Sequence, residues 1–302
     1  MRDRELFLLT LKETCARTGW CVHAYVLMGN HFHLLLETPE ALLSRGMHWL
    51  QTTYTSRFNR RYRLTGHVFQ GRFKAIVIDS EEAGHFATVA DYIHLNPVRA
   101  GLIDLRREQL SDYRWSSVVE YLASERSRAP WVMIQRVLGE HGYDDRATHR
   151  RSYVRDLSAR ALDQQGGTAA QWERLRSGWY LGSAQFRDRL LEKLEKATGK
   201  RQVSAGATEV GADHAEWQAE RMVRAGLKHF ALSEKELLSV RKSDARKVVI
   251  ARLIKTQTAV SLRWISGRLR MGAQSHVSRL CGHPATACER NSTKRIMSQV
   301  KT

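Results

Sequence analysis

Apolar residues change period several times along the first hundred positions, and each change marks an element. Over residues 3–18, Leu8, Leu11 and Cys15 recur at helical spacing, Asp3 stands where a cap is wanted, and Gly19 stops the run; a helix is predicted. Residues 20–37 form two apolar runs around the turn dipeptide Gly29-Asn30, which predicts a β-hairpin closed by Thr38-Pro39. Helical spacing returns from Ala41 to about Tyr62 through Leu43, Met47, Leu50, Tyr54 and Phe58, with Arg45, Arg57, Arg60 and Arg61 on the other face. Gly66 to Lys74 is a glycine-bounded basic loop, and Ala75 to Asp79 a short β-branched strand. Glu81 to about Asn96 is predicted helical, with Phe86, Val89, Ala90 and Ile93 inward and Pro97 ending it. A capping turn and short helix follow over residues 112–121.

A domain boundary is expected near 125, where Ala123 to Pro130 is small, charged and proline-terminated. Residues 126–212 read as a helical accessory region, punctuated at Gly166-Gly167 and Gly178 and ending in a Ser/Ala/Gly/Thr-rich linker from Gln202 to Gly211. Residues 213–302 return to helical spacing: Ala219, Met222, Val223, Gly226, Leu227 and Phe230 mark one helix, and Val248, Val249, Ala251 and Leu253 another. Then Leu262, Ile265 and Leu269 lie inward, Met271-Gly272 makes a turn, and residues 273–280 form a short polar helix. Helix, glycine turn and polar helix is the helix-turn-helix pattern, in which Gln274, Ser275, His276 and Arg279 suit phosphates and base edges.

Charge narrows the partner. With 49 Lys+Arg against 31 Asp+Glu, a formal charge of +18, a compact chain repels itself unless a polyanion offsets the excess, and nucleic acid is the usual one. Arg57, on a helix face of almost one sign, is therefore a candidate DNA contact. No secretory start and no 18-residue apolar run occurs, so a cytoplasmic protein without a membrane partner is expected. The four cysteines are scattered and imply no disulfide framework; Cys281, His283 and Cys288 lack the fourth ligand of a zinc site.

The candidate chemistry lies in two places. His31 and His33 are two apart on the outgoing hairpin strand, so both point one way and can reach one cation, or sit there as ordinary half-buried histidines. Tyr92 and Asn96 are one helical turn apart and share a face. Two imidazoles and an amide oxygen make a borderline site suited to Mg²⁺ or Mn²⁺ with open water positions. Tyr92 adds a phenol, a weak nucleophile until activated.

These residues, with Gln70-Gly-Arg-Phe-Lys74, Asn96-Pro-Val-Arg-Ala-Gly-Leu102 and Trp115-Ser-Ser117, resemble the single-tyrosine, IS200-like transposases, and most closely the REP-associated ones. The resemblance covers about residues 1–125. It implies an α+β, ferredoxin-like antiparallel sheet with helices on one face, followed here by the mainly helical C-terminal region. It also implies a metal-dependent endonuclease and strand-transferase that cuts single-stranded DNA beside a hairpin, leaving a 5′-phosphotyrosine and a free 3′-hydroxyl. On that basis Tyr92 is the nucleophile, His31, His33 and Asn96 are metal ligands, and Arg72, Lys74 and Arg99 meet DNA phosphates. Partners are then single-stranded hairpin DNA and, through the C-terminal region, duplex DNA, for a monomer or homodimer. The alternative is a catalytically inactive DNA-binding regulator on the same scaffold; the complete His-His-Tyr-Asn set favours the enzyme. Two departures stand out: Gly29-Asn30 replaces a common Pro-Asn, and the strand that precedes the first helix in the family is absent. Residues 75–79 and the hairpin are therefore expected to face each other across a gap with unpaired edges, as in a truncated copy or one whose natural start lies upstream.

Overall fold

In the computed structural model, which describes residues 2–163, 178–198 and 209–300, the hairpin forms where the apolar runs place it. Strands β1 (Cys21–Leu27) and β2 (Phe32–Glu37) pair antiparallel, with Leu27 opposite Phe32 and Val26 opposite His33. The register shifts between Val22 and Ala24, so His23 is an extra residue on β1. Every residue of β1 after Cys21 is buried, because both faces of the hairpin are covered. Phe32 points to the face taken by α1 (Arg2–Thr18) and α2 (Leu43–Tyr62): its ring lies 4.8 Å from Phe7, which in turn lies 5.3 Å from Tyr54. His33, one residue on, points to the opposite face and meets α3 (His85–His94). Gly46 lets α2 close down on Trp20: a Cβ there would come within 2.2 Å of the indole.

The outer edge of β1 is satisfied by chain far downstream. Leu27 N–H donates to Trp115 O (2.9 Å), Ser117 N–H to Tyr25 O (2.9 Å) and Met133 N–H to Val22 O (2.8 Å). The Tyr121 hydroxyl donates to the His23 carbonyl and the Tyr113 hydroxyl to that of Leu27, both at 2.8 Å. The core therefore runs past 125. Helices α4 (Asn96–Arg99), α5 (Val118–Leu122), α6 (Gln135–Glu140) and α7 (Ala147–Leu162) belong to the same compact unit, residues 1–182, and Ile134, Leu138, Tyr153 and Leu157 are buried in its core. The break expected near 125 falls inside this unit, because the exposed, charged stretch there joins two segments that both seal β1. Pro97 does not stop the helix outright. It occupies the first turn of α4, where its missing N–H costs nothing.

Strand β3 (Val77–Ile78) pairs parallel with β4 (Tyr180–Leu181) and not with the hairpin. The described strands thus form two separate two-stranded sheets in an α+β unit, in place of one ferredoxin-like sheet, and β3 finds its hydrogen bonds downstream. Among the described residues no strand pairs with the free edge of β2.

Residues 183–302 make a second compact unit. It contains α8 (Ala184–Thr198), α9 (Glu209–His229), α10 (Glu234–Ser239), α11 (Ala245–Gln257), α12 (Leu262–Arg268), α13 (Gln274–Gly282) and α14 (Ala287–Val300). Val223, Leu227, Ile250, Leu253, Ile265, Leu269, Val277 and Ile296 fill its core. Gly226 admits Ile250, which would stand 2.5 Å from a Cβ there. Arg268 ties α12 to Glu220 (2.7 Å) and Glu234 (2.6 Å). Arg270 (φ 52°) and Gly272 (φ 87°) turn the chain between α12 and α13. The expected punctuation at Gly166-Gly167 and most of the expected linker, residues 202–208, lie outside the described residues. Unit boundaries of this kind have a direct consequence: a fragment of residues 1–182 should melt cooperatively, whereas one of residues 1–125 should not. A cooperative transition for the shorter fragment in a thermal denaturation followed by circular dichroism would contradict it.

Candidate active site

His31 lies at the end of the hairpin turn, and its Nδ1 is 2.8 Å from Asn30 Oδ1. That oxygen only accepts, so His31 Nδ1 is the donor in this bond and Nε2 is not used by it. The His33 ring stands 5.1 Å from the His31 ring, nearly perpendicular to it, and 5.6 Å from the ring of Tyr92. Burial, and then the neighbouring His31 and Arg99 charges, push the His33 imidazole down to about 4, so its ring is neutral at pH 7. Asn96 Nδ2 donates to the Tyr92 carbonyl (3.1 Å), which commits the amide nitrogen and leaves the amide oxygen as an acceptor. Arg99 lies over the Tyr92 ring, 4.7 Å from its centroid. The hairpin and the α3–α4 corner thus bring His31, His33, Tyr92 and Arg99 together, with Asn96 bonded to the backbone of the tyrosine.

Among the described residues no group of three or more His, Cys, Asp or Glu side chains gathers as a metal site. A cation at the two histidines needs oxygen donors from elsewhere. Two imidazoles with the Asn96 amide oxygen and open positions fit Mg²⁺ or Mn²⁺ better than a closed structural zinc site.

The remaining expected residues divide. Arg72 and Lys74 are exposed on the loop before β3. Arg57 does not present a free charge: it donates to Thr10 Oγ1 (3.0 Å) and pairs with Glu13 (2.8 Å), so it pins α2 to α1. In the second unit Gln274, Ser275 and Arg279 are exposed on α13 above the buried Val277, and Arg279 lies 3.2 Å from Nδ1 of the part-buried His276.

A set of residues whose partnership has no signal at the sequence level holds α3 from behind. His94 is fully buried, with Nδ1 2.9 Å from the Tyr153 hydroxyl and Nε2 2.8 Å from Ser117 Oγ. The Tyr153 hydroxyl also meets Asp91 Oδ1 (3.3 Å), and Ser117 Oγ the Tyr25 carbonyl (3.2 Å), so the imidazole lies in the middle of one hydrogen-bonded chain. Burial pushes His94 down to about 4, which keeps it neutral in this chain of donors. Asp91 also meets His141 Nε2 (3.1 Å) and Arg160 (2.8 Å). Asp91 and His94 are three residues apart and share one helix face, while Tyr92 between them points to the hairpin histidines. Tyr153→Phe removes the partner of His94 Nδ1 and should cost about 1–3 kcal/mol of unfolding free energy. Denaturant titration checks it, and an unchanged midpoint would mean the chain of donors is not cooperative with the fold.

A family model described as "Transposase IS200 like" matches residues 2–96, the stretch that contains His31, His33, Tyr92 and Asn96. No curated protein and no solved structure matches the chain. The segment that carries the site is therefore similar to the IS200-like transposases, which supports a transposase-type function, and residues 97–302 lie beyond that match.

Proposed function

We propose that the protein is a metal-dependent single-strand DNA endonuclease and strand-transferase of the REP-associated kind, with Tyr92 as nucleophile. The observation that carries this reading is the contact of the Tyr92 ring with His33, itself beside His31. His31 Nε2, His33 and the Asn96 amide oxygen would hold Mg²⁺ or Mn²⁺, which would neutralise charge on the scissile phosphate and on the departing oxygen. The Tyr92 oxygen attacks phosphorus, a new O–P bond forms, and the bond from phosphorus to the 3′-oxygen breaks. The phenol gives up its proton and the leaving oxygen takes one up, so the products are a 5′-phosphotyrosine and a 3′-hydroxyl. Arg99 fixes the ring face and sets a cation beside the residue that takes up the phosphate. Asp91 and His94 fix the helix behind it. Arg72 and Lys74 are assigned to flanking phosphates. In the second unit α12, the turn at Arg270–Gly272 and α13 act as a helix-turn-helix that presents Gln274, Ser275, His276 and Arg279 to duplex DNA.

With labelled single-stranded hairpin DNA and Mn²⁺, the wild type should form a covalent adduct on a denaturing gel. Tyr92→Phe should abolish it while DNA affinity stays nearly unchanged; cleavage at the wild-type rate would make water the nucleophile. His31→Ala and His33→Ala should each weaken metal binding roughly 10-fold or more and stop cleavage. Full Mn²⁺-dependent activity in both would leave the histidines structural. Removal of residues 183–302 should lower duplex affinity and reduce the slope of log K against log salt by about 0.9 for each phosphate that the second unit neutralises. An unchanged slope would make the second unit a packing or dimerisation element.

A further inference from the structure

A cavity of about 370 Å³ opens on the first unit between the end of α1 and the start of α2. Thr14 and Thr18 wall it, and Arg17, Arg45, His48 and Trp49 line it. The spacing on α2 explains the cluster: positions 45, 48 and 49 are i, i+3 and i+4 and share a face. Arg17, in the last turn of α1, lies over the Trp49 ring, 4.6 Å from its centroid. Arg17, Arg45 and His48 are exposed, and among the described residues none of them makes a hydrogen bond or ion pair. Among the described residues no carboxylate lines the cavity, and the first turn of α2 holds no acidic residue. The neighbouring Arg57 is different, since Glu13 already neutralises it.

This place is not the Tyr92 site. α1 ends just before β1 begins, and α2 begins soon after β2 ends, so the cavity lies at the open end of the hairpin. His31 lies at the turn end, about 20 Å away along the strand at roughly 3.3 Å per residue. The two sites also use opposite faces, since α1 and α2 cover the Phe32 face and α3 the His33 face.

We propose that this cavity is a subsite for one unpaired nucleotide of single-stranded DNA, with its phosphate on Arg17, Arg45 and His48 and its base against Trp49. Guanidinium groups match phosphate oxygens in geometry, and an aromatic wall accepts any base through its π-face. The volume suits one nucleotide and excludes a base pair in a duplex, and Arg17 is already held in place by its stacking on Trp49. The choice of DNA as the polymer rests on the function proposed above; the nucleotide chemistry does not.

Fluorescence anisotropy with a labelled oligodeoxythymidine tests it, using the full chain with Tyr92→Phe so that no covalent product accumulates. The added double change Arg17→Ala/Arg45→Ala should weaken binding roughly tenfold at low salt and lower the salt slope by about 0.7, the value of one single-strand phosphate contact. Trp49→Leu should weaken binding roughly tenfold with the slope unchanged. Arg60→Ala, an exposed α2 position outside the cavity, is the control and should leave both nearly unchanged. If Arg60→Ala matches a single Arg45→Ala change, or if the double change leaves the slope intact, the basic residues act as a diffuse field and the subsite is refuted. Free thymidylate bound as tightly as the oligonucleotide would assign the cavity to a small nucleotide and overturn the strand reading. Normal binding by the cavity variants beside wild-type adduct formation sinks the subsite alone. Weakened binding by those variants beside a wild type that forms no adduct sinks the nuclease alone.

Discussion

His94 is a neutral imidazole with both ring nitrogens occupied and no access to solvent. Its partners come from three separate stretches: Ser117, which also bonds the edge of β1; Tyr153 of α7; and, through Tyr153, Asp91 of the same helix. Leaving several buried polar groups unpaired at once costs free energy comparable to a domain's margin of stability. The chain of donors therefore sets where α3 lies against the hairpin, and with it the contact between Tyr92 and His33. The proposed chemistry needs that contact, so residues far beyond the family match take part in building the site.

The same constraint explains what the amino-acid pattern could and could not convey. The α1 helix, the hairpin and α2 are local: their turn dipeptide and apolar spacing lie within the element, and each forms within a residue or two of its expected bounds, although Asp3, expected as a cap, lies inside α1 and accepts from Arg61 and Tyr62 of α2. Strand alternation sets His33 on the face opposite Phe32 before any tertiary contact, and the four-residue spacing keeps Asn96 one turn beyond Tyr92, although His31 lies just outside β2 and Asn96 opens α4. What closes β1 was not legible. The hydrogen bonds from Trp115, Ser117 and Met133, and the pairing of β3 with β4, join segments about a hundred residues apart, and no periodicity encodes such partners. The stretch near 125, expected as a break, lies inside the first compact unit, since a polar, proline-terminated stretch looks alike as a linker or as a surface loop. Arg57 likewise read as a free charge on one helix because Glu13 belongs to another.

The hairpin separates two kinds of chemistry. On the His33 face an exposed and a partly buried imidazole meet a phenol; on the Phe32 face the aromatic packing of Phe7, Tyr54 and Phe69 supports α1 and α2, which expose Arg17, Arg45 and Arg60. A formal charge of +18 favours a polyanion as partner, and in the proposed function a DNA strand would meet one face for reaction and another for grip.

The central claim is that Tyr92 joins covalently to DNA. Its most direct test is to trap the product with hairpin DNA and Mn²⁺, digest the protein and the DNA, and map the modified peptide by mass spectrometry. The account predicts a nucleotide linked through its 5′-phosphate to the peptide containing Tyr92. Cleaved DNA with no modified peptide, or a modification on another residue, would contradict it.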